Sequence, residues 1–128
     1  MTREQKAVRA LFQKLKRQRV QPFPKAGKRL DVPNEQGVYV IYAPHTSEVL
    51  HVGRTYRGTA GLRQRLKNHL HGQSSFTIRH LKGRGSKLRK GYKFRCIPVT
   101  SARRRALLEG FATGCLCPRH LGTSAGDE

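Results

Sequence analysis

Two short runs of β-branched and aromatic residues, carrying Gly37-Val38-Tyr39 and His51-Val52-Gly53, constrain the fold of this chain more than any other feature. Between them lies Ala43-Pro44-His45-Thr46-Ser47-Glu48, a stretch of turn formers. Residues that fit a pleated surface, separated by residues that reverse the chain, predict a hairpin with strands over 38–42 and 49–52. Side chains alternate faces along a strand, so an in-register pairing sets Tyr39 and His51 on one face. A slip of one residue would separate them.

The flanking elements follow from periodicity. Over residues 2–19, Val8, Leu11, Phe12 and Leu15 recur at helical spacing, with Lys6, Arg9, Lys14, Lys16, Arg17 and Arg19 off the stripe. This predicts an amphipathic basic helix, either packed on the core with a solvated charged face or serving as a nucleic-acid arm. A mitochondrial transit peptide is a weaker third reading, since Glu4 and the scarcity of serine do not suit one. Residues 21–36 hold Pro22, Pro24, Gly27 and Pro33 and read as a linker laid over the surface. Downstream of the hairpin and a short loop over 54–60, residues 61–71 read as a helix with Leu62, Leu66 and Leu70 toward the core. Arg65 and His69 are spaced i, i+4, so both project from one face of that helix, able to reach one phosphate or simply standing as exposed charges.

Ser74-Ser75 predicts the cap of a short helix through residue 81, with Phe76, Ile78 and Leu81 as its apolar contacts. Residues 82–90 carry Lys82, Arg84, Lys87, Arg89 and Lys90 among glycines, which suits a flexible loop following a phosphate backbone or simply a solvated one. A third strand is predicted over 92–99, with Phe94, Cys96 and Pro98 on one face and the proline marking an edge or the strand's end. Thr100 or Ser101 then caps a last helix running to about residue 113, where Gly114 and Pro118 stop it. The expected architecture is α+β, a small three-stranded antiparallel or mixed sheet flanked by helices. The expected organisation is a basic helix and linker over 1–36, a domain over 37–121 and a disordered tail over 122–128.

Charge narrows the partner. The 128 residues include 27 Lys+Arg against 7 Asp+Glu, a net charge of +20, which self-repels unless a polyanion shares the field. Nucleic acid is the expected partner, and Arg63 and Lys67 add cations around the 61–71 helix. No apolar run is long enough for a membrane span, and the first residues lack the apolar stretch of a secretory signal. An intracellular, cytoplasmic setting is therefore expected. Three cysteines are an odd number and argue against a disulfide framework. Cys115, Cys117 and His120, with Cys96, are an alternative set of zinc ligands, although a C-x-C pair departs from the usual spacing.

Between Glu48 and Asp127 the chain holds one acidic side chain, Glu109, within a strongly cationic stretch. Chemistry on phosphodiesters commonly uses a divalent cation, and hard cations take carboxylate oxygen, so Glu109 is the candidate ligand. An ion pair with Arg105, one helical turn earlier, is the structural alternative.

These residues resemble the GIY-YIG nuclease superfamily. Gly37-Val38-Tyr39 is similar to the first signature tripeptide, and His51-Val52-Gly53 to the second with histidine in place of tyrosine. Arg65-Leu66 resembles the helical arginine motif, and Glu109 followed by Pro118 the metal-binding glutamate and its proline. The likeness spans residues 37–121. It implies that Tyr39 orients or deprotonates the attacking water, with cations lowering its pKa. It further implies that Arg65 binds the scissile phosphate, Arg54 also touches phosphate, and His69 assists the water or the phosphate. Glu109 would hold a single Mg²⁺ or Mn²⁺. The sequence departs from the family at His51, where imidazole can serve as base or hydrogen-bond partner, and at Leu121, where the family often has asparagine. The function expected is a metal-dependent endonuclease hydrolysing DNA, with a protein partner or oligomer supplying specificity. The alternative is a non-catalytic DNA- or RNA-binding protein on the same fold.

Overall fold

In the computed structural model, which describes residues 1–56, 58 and 60–121, the hairpin becomes β2 (Gly37–Tyr42) and β3 (Val49–Arg54). The two are antiparallel, with Tyr39 opposite Gly53 and Ile41 opposite His51. Tyr39 and His51 therefore share a face, as the pattern requires. β4 (Lys93–Pro98) pairs antiparallel with the other side of β2, so β2 is interior and all six of its residues are buried.

The alternation of β2 sorts its residues into two cores. Val38, Val40 and Tyr42 face Phe12 and Leu15 of α1 (Arg3–Lys16) and Leu108 and Ala112 of α4 (Ala102–Leu116). Tyr39 and Ile41 face Leu62, Leu66 and Leu70 of α2 (Leu62–Leu70), together with Phe76 of α3 (Ser75–His80). The sheet thus lies between two helical layers. Each fully buried aliphatic or aromatic side chain contributes about 1.5–3 kcal/mol to holding them together.

The first glycine of the hairpin signature has a packing cause. A Cβ at Gly37 would overlap the carbonyl oxygen of Ile97 and crowd Leu62, so any side chain there would push β2 away from β4 or α2.

Several expectations are corrected. The sheet has four strands, in the order β1-β4-β2-β3, because Gln21–Pro22 forms a short edge strand, β1, against Phe94 and Lys93. Proline is tolerated there because an edge strand leaves one side unpaired. Residues 21–36 are more than a surface linker, since Phe23, Leu30 and Val32 are buried in the α2 side of the core. Isolated apolar residues among prolines have no period for a sequence pattern to detect. Ile78 is 58% exposed while Phe76 and Leu81 are buried, so one turn of α3 offers only part of its circumference to the core.

The last helix runs to Leu116, past Gly114, and ends where Cys117 takes a left-handed conformation (φ 47°) just before Pro118. Residues 82–90 contain a 3₁₀ turn (Gly85–Arg89) with Leu88 in the core, so this stretch is not a free loop. Pro98 closes β4 beyond the reach of β1, at the strand's end, and is exposed.

α1 is an integral layer. Thr2 and Gln5 form a capping box, the stripe Val8, Phe12 and Leu15 is buried, and Arg103 of α4 donates twice to Glu4 at 2.9 Å. The tail over 122–128 and residues 57 and 59 of the 54–60 loop lie outside the described residues. No helix among the described residues is long and apolar enough to cross a membrane.

Candidate functional site

β2 and α2 bring together the aromatic, the arginine and the histidine singled out above. The Tyr39 hydroxyl lies 2.7 Å from His69 Nε2 and accepts a hydrogen bond from Arg65 Nε at 3.2 Å. His69 Nδ1 is 2.7 Å from Ser74 Oγ, which caps α3 and also meets Thr77 Oγ1 at 2.9 Å. One order of protons satisfies the whole chain: Tyr39 donates to Nε2, His69 Nδ1–H donates to Ser74, and Ser74 donates to Thr77.

The second signature glycine is explained at the same point. Gly53 stands opposite Tyr39, and a Cβ on it would overlap the Tyr39 hydroxyl and approach His51 Nε2 to 3.0 Å. Only glycine lets the phenol cross the neighbouring strand to reach α2.

Burial controls the electrostatics of this chain. Tyr39 and His69 are fully buried. Burial raises the Tyr39 pKa to about 12, overriding the opposing pull of the Arg65 guanidinium. Burial, reinforced by His51 and Arg65, holds His69 well below the usual histidine value. The chain is therefore neutral at physiological pH. Arginine alone therefore does not lower the tyrosine, because desolvation of a phenolate outweighs one nearby guanidinium.

Beside this chain opens a cleft of about 330 Å³ whose lining includes Arg65, Arg54, Glu109, Tyr56, His51 and His120. Glu109 reaches it from α4. Its partner is Arg54 of β3, with Nη1 donating to Oε1 at 3.0 Å, and not Arg105. Arg105 is buried and donates instead to the carbonyls of Thr55, Val99 and Thr100, fastening α4 to the ends of β3 and β4. Burial pushes the Glu109 carboxyl upward, while Arg54 and Arg65 pull it down. Pro118 and Leu121, the positions linked to Glu109 by the resemblance, line the same cleft.

His51 is 5% exposed and stacks on Phe76 at 5.2 Å, with the His69 and His120 rings each 5.3 Å away. Among the described residues neither of its ring nitrogens has a hydrogen-bond partner. Burial, aided by His120, Arg65 and His80, lowers its pKa to about 3, so it is a neutral imidazole. His120 and Tyr56 were not expected at the cleft. His120 is buried there by a backbone bond from its N–H to Leu50 O and by a contact between Nε2 and Ser75 Oγ at 3.3 Å. Neither residue carries a local pattern that would have placed it.

The cationic candidates divide. Arg54 and Arg65 face the cleft. Arg63 and Lys67 lie with Arg29 and Asp31 around a separate recess, and Arg63 Nε donates to Val32 O at 3.0 Å. Lys82, Arg84, Lys87 and Lys90 are exposed, whereas Arg89 is tied by Nη1 to the carbonyls of Pro24 and Lys25. Cys96 is buried on β4 while Cys115 and Cys117 are exposed, and no three His, Cys, Asp or Glu side chains among the described residues form a metal-holding group. Compared with known proteins, the chain matches no family model, no curated protein and no solved structure.

Proposed function

We propose that this protein is a metal-dependent endonuclease of the GIY-YIG type that hydrolyses phosphodiester bonds in DNA. The observation that carries the reading is the bond from Arg65 to the Tyr39–His69 pair, directly behind a cleft that also holds Glu109. A pure nucleic-acid binder with a net charge of +20 gains nothing from a carboxylate inside its cationic cleft.

The donor set suits a hydrated divalent ion. Mg²⁺ is commonly held through one or two carboxylates, with water and substrate phosphate supplying the rest, and Glu109 is one such carboxylate. When bound, Mg²⁺ or Mn²⁺ would supply positive charge against the developing phosphorane and make water a better nucleophile.

Arg65 offers its remaining guanidinium N–H groups to a phosphate in the cleft, in the paired geometry that stabilises charge as it develops. Arg54 brings a second guanidinium to the same wall. Because Arg65 covers the Tyr39 hydroxyl, a phosphate that draws Arg65 outward uncovers the phenol for water. Tyr39 then accepts a hydrogen bond from that water while keeping its own proton on His69, which Ser74 holds in the required orientation. His51, neutral and with no partner for its ring nitrogens among the described residues, offers one donor and one acceptor beside this position.

One observation favours the alternative of a non-catalytic nucleic-acid-binding protein: Glu109 is already neutralised by Arg54. Incubating the protein with supercoiled plasmid in Mg²⁺ or Mn²⁺, with chelator and Glu109→Ala as controls, separates the two. Metal-dependent nicking lost in the variant supports the nuclease. Tight, salt-sensitive binding by both proteins without cleavage supports the binder.

A further inference from the structure

We infer that the recess beside the cleft is a nucleobase subsite, and that the substrate presents an unpaired nucleotide next to the cleaved phosphate. This inference rests on the nuclease reading for the position of that phosphate.

Tyr56 stands between two cavities. It lines the cleft with Arg65 and Glu109, and it also lines a recess of about 120 Å³ with Arg65, Gln64 and Asn68. The Tyr56 side chain is large and apolar yet half exposed, at 50%. Its ring is not left to swing freely. The Arg54 guanidinium lies 4.9 Å from the ring centroid, and Arg54 is itself held by Glu109. An exposed aromatic ring braced by a cation on the wall of a cleft that holds two arginines is the arrangement that stacks a base, because every base has a π face.

The far wall of the recess adds hydrogen-bonding groups. Gln64 and Asn68 are one turn apart on α2, and Gln64 Nε2 donates to Asn68 Oδ1 at 3.0 Å. That bond uses one donor and one acceptor and leaves Gln64 Oε1 as an acceptor and the Asn68 amide N–H as a donor on the wall of the recess. A neighbouring acceptor and donor is the complement of a base edge, as in the bidentate contacts that carboxamides make with adenine. In a continuous duplex that face is stacked and its pairing edge is occupied. The base that enters must be extruded or already unpaired, as at a bulge, a flap or a single-stranded stretch.

Arg65 borders both cavities and so relates them. A phosphate on Arg65 in the cleft and a base on Tyr56 in the recess place one nucleotide astride the α2 helix, with its sugar between them. Among the described residues the lining of the recess is neutral apart from Arg65, consistent with a base and not a second phosphate.

The test uses the full chain in chelator, so that binding is read without cleavage. Two duplexes are compared, one fully paired and one with a single unpaired 2-aminopurine, whose fluorescence falls when it stacks. The unpaired duplex should bind about tenfold more tightly and show quenching, Tyr56→Ala should abolish both effects, and Tyr56→Phe should keep them. Gln64→Ala should keep the quenching while flattening preference among the four bases. Equal affinity for the two duplexes without quenching by the wild-type protein, a comparison that needs no variant, would overturn the subsite. So would quenching that survives Tyr56→Ala. Cleavage of paired DNA in Mg²⁺ without any quenching would contradict the subsite and leave the nuclease standing. Quenching with no cleavage under any metal would do the reverse.

Discussion

The Tyr39 hydroxyl and His69 Nε2, from the central strand and the helix packed on it, meet at 2.7 Å in a site closed to solvent. Neither group ionises readily there, because burial raises the one and lowers the other. The pair is a neutral positioning device whose other contacts, Arg65 and Ser74, connect the cleft to the cap of α3.

Tyr39→Phe removes the hydroxyl and leaves a buried imidazole nitrogen without its partner. Unfolding in urea should show a loss of about 1–3 kcal/mol. Cleavage should fall by about 10²-fold, as when a group that orients the attacking water is lost, with DNA affinity in chelator unchanged. An equal fall in affinity and cleavage would mean the hydroxyl serves binding.

Gly53→Ala tests the second glycine of the signature. The added methyl must displace the Tyr39 phenol, an overpacking that should cost about 1–3 kcal/mol. Cleavage should fall with it, whereas Gly110→Ala, where a Cβ meets nothing within 4 Å, should not be destabilised. Thermal unfolding of the two variants side by side gives the comparison.

These glycines also show how far the sequence could be read. Gly37 and Gly53 and the alternation that puts Tyr39 and His51 on one face are local patterns that land where expected. His69, by contrast, does not stand beside Arg65 at the cleft: it is buried against Tyr39 and Ser74, because tertiary packing turned that side of α2 into the core. The Arg54–Glu109 pair and the burial of His120 join residues far apart in the chain, and no period announces them. Arg105 shows the same limit. Helical spacing offered it to Glu109, but tertiary packing gave it three carbonyls instead.

Arg105→Ala should therefore unfold more easily by about 3 kcal/mol, since three carbonyls, two of them in buried bonds, lose their donor, and the conservative Arg105→Lys should recover only part of this. Denaturant midpoints of the two variants are the readout. A neutral effect would contradict the structural role.

The histidines set the response to acid. His51 has a folded pKa of about 3 against an ordinary 6.5, and His69 is shifted in the same direction. Between those values the unfolded chain binds the protons that the folded chain refuses, so stability should fall as pH drops below about 6.5. Each histidine contributes a slope of up to about 1.4 kcal/mol per pH unit. Glu109, shifted upward, opposes this over a window just above its ordinary 4.5, where the folded state holds the extra proton. His51→Phe should reduce the acid sensitivity, and at neutral pH it should stabilise the fold by about 1–2 kcal/mol, because it removes two buried nitrogens that have no hydrogen-bond partner among the described residues. Stability measured from pH 5 to 7.5 in both proteins checks the sign.

The proposed nuclease activity requires Glu109, Arg65 and Tyr39 to act together on DNA. It is tested most directly by single-turnover cleavage of end-labelled DNA in Mg²⁺ by wild type and Glu109→Gln, with affinity measured in parallel in chelator. The expected result is metal-dependent cleavage by wild type and a loss of at least about 10²-fold in the variant, with affinity retained. Cleavage by Glu109→Gln at the wild-type rate, or no cleavage by wild type in either Mg²⁺ or Mn²⁺, would contradict it.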